Sequence, residues 1–584
     1  MKNNTVKPLC MALGLVFAGS ATAMTMDFSG TNFYMKFLDG NQRGAPSGSI
    51  DTNSGGDQGQ FTEMNLVFKA TISPQVEAGG RIQSRSSASY WTEFGGFGQE
   101  NGGNATGGYQ NNEINHQKFM KLRGAYVELT PGYNWLNNAR IGTSDWGMFD
   151  PFTVGKVRYI DRDNYNGLYF KGPLIKEGSW EFARISLPSY LQFNWGQGAT
   201  CCSTDSTQYN EAVYIAQFKM PVSGAKVVAS YQSFIDHTLA PTANNFTGVN
   251  TQDIYKNTVI ALKADGSPAD GFDLHGAYYW SSSDPSSGIF GQSWGNTPAG
   301  YISDKAIKLG ADWTTLVEGL AFNFQYFNIG AGYNSIAAAR RESDVLLTEG
   351  SESAWYNWGN AIWSGGTAAN YTQSASTKPV TDNAYMDFDE SPAESVVGWK
   401  GLTVIGKYDA ANSPMSLELT RVGYNNNWQA YPVLGSLSNL YAANQDRTTN
   451  IMAFNLNHIF SVMGGLDTNL KLKRVDDKNK VDVTTAADDR NVLDNGITLS
   501  AGSQLYSQLY GTLSYGRYIR DIKVGSTPYN NSKSIYGVRF AYNLPGFEVG
   551  MLTQWILGSG DPLENGTSLK IKQYRMKAFA KVNF

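Results

Sequence analysis

Apolar and polar side chains alternate along the last eleven residues of the chain, from Tyr574 to Phe584. Successive side chains of a β-strand point to opposite sides, so this alternation predicts a strand with one apolar and one polar face. The length also matches the roughly 9 to 11 residues that a tilted strand needs to cross the hydrocarbon core of a bilayer. An amphipathic edge strand of a soluble sandwich is the alternative. The predicted apolar face carries Tyr574, Met576, Ala578, Ala580, Val582 and Phe584.

The same alternation recurs along the whole chain, for example around Phe68, Phe218, Tyr278, Phe324 and Phe540. Longer polar stretches separate the hairpins that this alternation predicts. Barrels of outer membranes join their strands in this way, by short turns on one side and long loops on the other. The pattern therefore predicts an all-β chain that folds as a transmembrane antiparallel β-barrel, with short periplasmic turns and long extracellular loops. The predicted short connections lie near Pro74, Pro131, Pro173, Pro221, Pro268, Val317, Pro414, Met463 and Pro545.

The strand count follows from the direction of the strands. If both chain ends lie in the periplasm, the number of strands is even, and the directions agree only if a weakly marked strand lies near Ile522 to Gly525. This predicts about 22 strands, within a range of roughly 18 to 24. A barrel of that size leaves an aqueous lumen unless something plugs it.

Composition agrees with such a barrel. Aromatic residues and glycine are abundant, with 33 Tyr, 29 Phe, 14 Trp and 63 Gly, but only 16% of the residues are charged, against about a quarter in soluble proteins. The mean hydropathy of −0.34 is compatible with a barrel because only every second wall residue is apolar. No Pro-rich or Ser-rich linker divides the chain, so residues 24–584 are predicted to form a single barrel domain.

The first residues predict a secretory signal peptide. Lys2 and Lys7 precede an apolar stretch from Leu9 to Ala18, and small residues follow up to Ala23. A basic head, a short apolar middle and a small-residue end are typical of a cleaved export signal. We expect residues 1–23 to be removed after export.

The alternating residues that end on the terminal Phe584 resemble the carboxy-terminal insertion signal of the porin-like class of Gram-negative outer-membrane proteins. The resemblance covers this segment and the repeated strand pattern. It implies a cell outer-membrane location, contact with outer-membrane lipid and with the assembly machinery that reads the last strand, and passage of small hydrophilic solutes. Alginate-export-type porins and the barrels of porin-cytochrome conduits both fit the pattern.

The segment 145–167 is, by order, the third long loop and a candidate constriction loop. In the porins that the chain resembles, this loop often folds inward and faces opposite charge on the wall. Charges in a narrow channel interact more strongly than in bulk water. The alternative is a solvated loop whose charges pair locally. The pore-lining candidates in this segment are Asp150, Lys156, Arg158, Asp161 and Arg162.

Basic residues in the neighbouring predicted strands complete the set of pore-lining candidates. They predict a mild preference for anions or acidic oligosaccharides, although the formal net charge of the whole chain is −4. Net charge mostly describes the loops, whereas the lumen decides selectivity. These wall candidates are Arg81, Arg85, Lys121, Arg123 and Arg140.

The segment 331–396 is the longest stretch without predicted strands, and it is predicted to be a long external loop. It contains Trp355, Trp358 and Trp363 together with several carboxylates. Aromatic faces could stack on sugar rings, and an external cap is the alternative. In another external loop, Cys201 and Cys202 are adjacent, which predicts either a strained vicinal disulfide or an inert pair.

Catalytic and cofactor motifs are missing from the sequence. There is no H-E-x-x-H or phosphate-binding loop, the four histidines lie far apart, and no C-x-x-C-H could attach haem. We therefore expect no enzyme activity, no cofactor, no metal site and no nucleic-acid partner. A passive or substrate-selective porin is the first hypothesis. A barrel sheath around a periplasmic or lumen-bound cytochrome is the second, and a surface receptor or adhesin is the third.

Overall fold

A computed structural model describes most of the chain, and nearly all of what it describes is β-strand. No helix in the part of the chain that the structure describes has the length and apolar character needed to cross a membrane. The described residues are 25–43, 57–87, 118–144, 146–150, 152–154, 166–175, 177–187, 211–236, 256–284, 302–330, 333, 335, 399–410, 413–425, 446–462, 464–480, 490–524, 526–560 and 569–583.

The strand segments follow one another in chain order. They are β1 (Thr25–Asp27), β2 (Asn32–Arg43), β3 (Asp57–Ser73), β4 (Val76–Ser87), β5 (Lys118–Leu129), β6 (Asn138–Thr143), β7 (Asn166–Pro173), β8 (Ser179–Leu187), β9 (Glu211–Val222), β10 (Ala225–Asp236), β11 (Lys256–Ala269), β12 (Phe272–Asp284), β13 (Ile302–Val317), β14 (Leu320–Ile329), β15 (Trp399–Tyr408), β16 (Met415–Tyr424), β17 (Asp446–Phe460), β18 (Leu466–Lys480), β19 (Arg490–Tyr506), β20 (Leu509–Val524), β21 (Thr527–Leu544), β22 (Phe547–Gly560) and β23 (Leu569–Asn583).

These segments form one closed antiparallel ring. Each strand pairs with the next, and β23 pairs with β2, with Asn583 opposite Asn32. β1 and β2 both pair with β3, so they count as one interrupted strand. At the interruption, the Thr31 hydroxyl donates to the Val67 carbonyl and accepts from the Val67 N–H, at 3.1 Å each. The barrel therefore has 22 strands, which confirms the predicted fold class and strand number.

The connections differ at the two ends of the barrel. All nine predicted short connections lie at one end, the turn end, where the first and last described residues also lie. A tenth turn at this end, around Ser507, was not predicted. Ser507 has a φ of 45°, and no Gly or Pro marks the turn in the sequence. The long connections lie at the opposite end, the loop end.

The separate strand predicted near Ile522 to Gly525 is wrong. Residues up to Val524 form the last part of β20, and β21 begins at Thr527 after a tight connection at the loop end. The prediction failed because the strand was added only to make the strand directions agree, which was needed because the turn at Ser507 was not predicted. The missed turn at Ser507 and the added strand offset each other, so the even count was unaffected.

The two faces of the ring have opposite character. Side chains on the outer face are apolar and exposed, as in Leu262, Leu499 and Leu513, which are 53%, 48% and 63% accessible. The inner face carries most of the polar residues, such as Gln217 and Thr403, at alternate positions of the same strands. A ring that is apolar outside and polar inside is the reverse of a soluble protein.

Apolar residues on the inner face interrupt this rule in the half nearer the loop end. Ile185, Val213, Phe234, Val259 and Ile329 occupy inner positions of β8, β9, β10, β11 and β14, and all five are buried. Buried apolar side chains need covering atoms. This part of the lumen is therefore packed.

Candidate constriction inside the barrel

The chain turns into the barrel directly after β6. Gly142, near the end of β6, has a φ of 114°, and a Cβ at this position would overlap the Ala125 carbonyl oxygen. A short 3-10 helix, Trp146–Met148, follows. The Trp146 ring lies against Gly167 of β7, where a Cβ would come within 2.7 Å of the ring. Two glycines thus provide the bend and the space that bring the chain inward.

The residues after this helix form a compact turn around Asp150. The Asp150 carbonyl accepts hydrogen bonds from the Thr153 N–H at 2.9 Å and the Val154 N–H at 2.8 Å. Its side-chain Oδ1 accepts from the Phe152 N–H at 2.8 Å. An aspartate that bonds its own backbone two residues later stabilises a turn locally. We refer to the described residues 146–150 and 152–154 as the inner segment.

Asp150 also attaches the inner segment to the barrel wall. Its Oδ2 accepts a hydrogen bond from the Tyr279 hydroxyl of β12 at 3.1 Å and forms an ion pair with the Lys263 Nζ of β11 at 2.7 Å. The Asp150 side chain is only 5% exposed. A buried carboxylate is tolerated when a cation and hydrogen-bond donors satisfy its oxygens, and removing one partner of such a pair is strongly destabilising. Asp150 is therefore an anchor.

Aromatic rings strengthen the same attachment. The Phe152 ring lies 5.1 Å from the Tyr279 ring and 6.1 Å from the Tyr333 ring, measured between ring centres. The Lys308 Nζ of β13 lies 4.5 Å from the centre of the Phe152 ring. Ring pairs and a cation above a ring each contribute about 0.5 to 2 kcal/mol beyond burial. Phe152 thus packs the inner segment against three neighbours.

Residues beyond β14 hold the inner segment from a second side. The Tyr333 hydroxyl donates to the Phe152 carbonyl at 3.0 Å, and the Ser335 hydroxyl donates to the Thr153 carbonyl at 3.1 Å. Burial, and then the charge of Asp150, raise the pKa of Tyr333 well above its usual value. Its hydroxyl consequently remains protonated and able to donate. Two connections from separate hairpins therefore meet inside the barrel.

The two attachments of the inner segment lie several strands apart. Trp146 and Phe149 contact β7, where the Phe149 and Tyr169 rings are 6.5 Å apart, whereas Asp150 reaches β11 and β12. The buried apolar residues of β8 to β10 lie on the wall between these attachments. The segment therefore lies along one side of the lumen and narrows it there.

Two of the predicted wall residues are visible on the inner face, and both have partners. Arg81 donates to the Asn65 Oδ1 through Nε at 3.1 Å and Nη2 at 3.0 Å. The Arg140 Nη1 lies 3.2 Å from Glu128, and its guanidinium lies 3.6 Å from the centre of the Tyr126 ring. Their charges are held at the wall, and the structure brings neither to Asp150.

The other predicted positions are less fully described. The backbone of Arg85, Lys121 and Arg123 belongs to β4 and β5, but their side chains lie outside the described part, as do those of Tyr574 and Phe584. Met576, Ala578, Ala580 and Val582 occupy outer positions of β23. The remaining predicted residues lie outside the described residues, namely Lys156, Arg158, Asp161, Arg162, Cys201 and Cys202. Residues 1–23, the predicted signal peptide, and nearly all of the predicted loop 331–396 also lie outside them.

The sequence did not identify the wall partners of the inner segment. Lys263, Tyr279 and Lys308 lie on three strands more than 100 residues away, and only pairing register brings them together. One signal was available, because Tyr279 falls on the polar face of β12, between the outward residues Tyr278 and Trp280. An aromatic residue at a polar position indicates a partner inside the ring.

Nearer the turn end, the inner wall carries a different arrangement of charges. His275 of β12 lies between two carboxylates, with Nδ1 2.9 Å from the Asp265 Oδ1 and Nε2 3.0 Å from the Asp312 Oδ2. In the described residues, no group of three or more His, Cys, Asp or Glu side chains has a geometry that could hold a metal ion. The two carboxylates and one imidazole make this sector of the lumen acidic.

Another sector of the inner wall, on β15 to β19, carries lysines beside the carboxylates Glu418, Asp467 and Asp494. Lys407 of β15 and Lys471 and Lys473 of β18 occupy inner positions. None of them forms an ion pair with another part of the chain that the structure describes. In a ring of 22 strands, β18 lies eleven strands from β7 and therefore faces the side where the inner segment enters.

Comparison with known proteins gave weak structural likenesses only. No protein-family model matches the chain, and no curated protein matches it. Among solved structures, it is similar to Pseudomonas aeruginosa OccK10 (OpdN), with 9% identity and a TM-score of 0.31 over 96% of this chain and 100% of that one. The chain is also similar to the P pilus usher (PapC) translocation pore, with 9% identity and a TM-score of 0.34 over 96% of this chain and 100% of that one. A third similar structure is the carbohydrate-binding barrel Wzi of Escherichia coli, with 10% identity and a TM-score of 0.34 over 76% of this chain and 80% of that one. All three TM-scores are below 0.5, so these likenesses carry no weight for function.

Removing the anchor carboxylate should loosen the inner segment while leaving the ring intact. In the Asp150→Ala variant, Lys263 loses its counter-ion, so we expect the amides of Thr153 and Val154 to exchange with solvent at least about tenfold faster. Hydrogen exchange followed by mass spectrometry measures this. Asp409→Ala, at an exposed turn-end position, is the control and should exchange like the wild type. Unchanged exchange in Asp150→Ala would show that Asp150 is not the anchor.

Proposed function

We propose that the chain is an outer-membrane channel through which small hydrophilic solutes diffuse, and that it acts in transport rather than catalysis. One observation carries the proposal. A closed ring that is apolar outside and polar inside contains a segment of its own chain, fixed to the wall by Asp150, Lys263 and Tyr279. A ring with an apolar exterior can lie in a bilayer, and a segment fixed inside it can limit the width of a passage.

The exterior supports a membrane location. In lipid, every backbone polar group must bond within the protein, and a closed ring of strands meets that requirement without an exposed edge. Exposed outer leucines such as Leu262, Leu309 and Leu513 belong to a continuous apolar surface. In water a surface of this kind promotes aggregation, whereas lipid chains cover it favourably. Short turns in the periplasm and long loops outside the cell give the orientation that we propose.

The interior supports a passage for hydrophilic solutes. A ring of 22 strands is wide enough to leave an aqueous lumen, and polar side chains cover most of its inner face. The inner segment and its cover from Tyr333 and Ser335 narrow one side. Solutes must therefore pass between this obstruction and the opposite wall, which carries Lys471 and Lys473.

Electrical recording tests the channel directly. We expect the purified chain to produce discrete conductance steps in a planar bilayer. Asp150→Ala should give a larger or noisier single-channel conductance than the wild type, because its inner segment is no longer fixed to the wall. Asp409→Ala should behave like the wild type. A folded wild-type protein that inserts without any conductance step would contradict the channel.

The charge of the lumen predicts the preferred solute class. Because Lys407, Lys471 and Lys473 face the lumen without ion pairs in the described residues, we propose a mild preference for anions or acidic oligosaccharides. The Lys471→Gln/Lys473→Gln double variant should shift the reversal potential under a salt gradient towards cation selectivity. Arg474→Gln/Lys478→Gln, on the outer face of the same strand, removes equal charge and should not. Clear cation selectivity of the wild type would refute this preference.

Adjacent substitutions in β19 test the proposed contact with lipid. Leu499 points outward between Leu470 and Tyr515, whereas Ser500 points inward. In vesicles, Leu499→Arg should reduce the free energy of unfolding by about 2 to 4 kcal/mol, since it places a charge among lipid chains. Ser500→Arg, in the water-filled lumen, should change it much less. Urea unfolding followed by tryptophan fluorescence measures both, and equal effects would argue against a lipid-facing exterior.

A further inference from the structure

The outer face of β15 to β21 has an uneven distribution of charge. Most of its apolar residues occupy the middle and the turn-end half, with Leu493 and Ile519 as exceptions, and in the described part of these strands all the outward charges lie nearer the loop end. Six of these charged residues are basic and two are acidic. They are Lys400, Arg421, Arg474, Asp476, Lys478, Arg517, Asp521 and Lys523.

Three arginines stand at the loop-end border of the apolar surface, which extends past them only at Ile519 of β20 in the described residues. Arg421, Arg474 and Arg517 lie on β16, β18 and β20, the alternate strands that run from the turn end to the loop end. We refer to them as the arginine row. Each follows an outward apolar residue two positions earlier, namely Leu419, Leu472 and Tyr515. Successive arginines are separated by one intervening strand and by two residues of register, which places their backbones about 11 to 12 Å apart.

The arginine row has little internal neutralisation. Arg421 and Arg474 form no ion pair with another described residue, and the Arg517 Nη1 donates to the neutral Ser534 hydroxyl at 2.8 Å. Asn450 lies opposite Arg421, and Asn495 lies opposite Arg474, so amide donors occupy the strands between the arginines. Among the described residues this surface offers many donors and is positively charged, and Asp476 and Asp521 are its only outward carboxylates.

The position of the arginine row identifies its ligand. Because Leu419, Leu472 and Tyr515 are the adjoining residues of the surface that we propose to lie in hydrocarbon, the guanidinium groups reach the depth of the lipid headgroups. A guanidinium binds a phosphate through two parallel hydrogen bonds. A soluble phosphate would not require the adjoining apolar residues. A lipid would contact the arginines with its headgroup and the apolar residues with its acyl chains.

We propose that the arginine row binds the headgroup phosphates of anionic lipid in the leaflet at the loop end. Lys400 and Lys478 extend the site on the same outer face, and Asp476 lies 3.6 Å from Lys478. The acyl chains of the bound lipid would lie over the apolar residues of β16 to β20. This inference rests on the membrane location in the proposed function.

Native mass spectrometry of the full chain in a neutral detergent tests the site. The probes are dioleoylphosphatidic acid and dioleoylphosphatidylcholine, which share their acyl chains and differ in headgroup charge. We expect the wild type to retain phosphatidic acid with at least about tenfold higher affinity than phosphatidylcholine. The Arg421→Gln/Arg474→Gln/Arg517→Gln variant should lose at least about tenfold of that affinity and keep its weak binding of phosphatidylcholine.

The matched control removes the same charge from the inner face. Lys407→Gln/Lys471→Gln/Lys473→Gln alters three basic residues of β15 and β18 that lipid cannot reach, so its retention of phosphatidic acid should equal that of the wild type. A triple Arg→Lys variant separates charge from the guanidinium geometry and should show intermediate retention. Inorganic phosphate at the same concentration should not displace the lipid.

Four results would overturn the inference. They are equal wild-type affinity for the two lipids, full retention by the Arg→Gln variant, an equal loss in the inner-face control, and displacement by inorganic phosphate. The last of these would indicate a site for free phosphate. The wild-type comparison needs no variant, so a misfolded variant does not prevent the test. If the protein conducts in a bilayer but gives one of these four results, only the inference about lipid binding is wrong. If it enters vesicles of neither lipid, the proposed function is wrong as well.

Discussion

The structure depends on one constraint, which is that every strand must find a hydrogen-bonding partner on both sides. A flat sheet of these strands would leave two long edges unpaired, and the pairing of β2 with β23 removes both. Once the ring is closed, alternate side chains of each strand must point to its inside or its outside. The apolar exterior and the polar lumen are therefore consequences of the same closure. Even the interruption between β1 and β2 is bridged, because the Thr31 hydroxyl bonds to both backbone groups of Val67.

Most of the ring could be predicted from the sequence because alternation and turns are local signals. The class of fold, the strand number and nine of the ten turns at the turn end follow from them. The turn at Ser507 could not be found in this way, since a non-glycine residue adopts the positive φ there. The tight connection after Val524 was missed because an extra strand was placed there to make the strand directions agree.

The interior of the ring was less predictable than its wall. Asp150 was a candidate from its position in the third long loop, but its partners depend on which residues of distant strands lie side by side. A single sequence shows which residues of a strand share a face, but it does not show which residues of neighbouring strands pair. The inner position of Tyr279 was deducible, whereas its contact with Asp150 was not. The structure places the basic residues Arg81 and Arg140 on the inner face, and the sequence did not reveal their local partners.

Two different groups of residues control the proposed passage. The inner segment limits its width, and this limit is structural because Asp150 and Phe152 are buried against the wall. The lysines of β15 and β18 are the basis of the proposed anion preference, and they are not part of that packing. The outer arginines belong to neither group. Width, charge and proposed lipid contact can therefore be altered separately, since alternate residues of one strand serve different faces.

The seam between β2 and β23 has a consequence for folding kinetics. Asn32 and Asn583 are paired in the native ring although they are more than 500 residues apart in the chain, so the closing contact is among the least local in the protein. The entropy lost in closing such a span grows only with the logarithm of its length, but non-local pairing is slow to find. Hairpins of neighbouring strands can form while the seam is still open. Until it closes, both edges of the growing sheet are available to other chains, which makes the final step the one most exposed to aggregation.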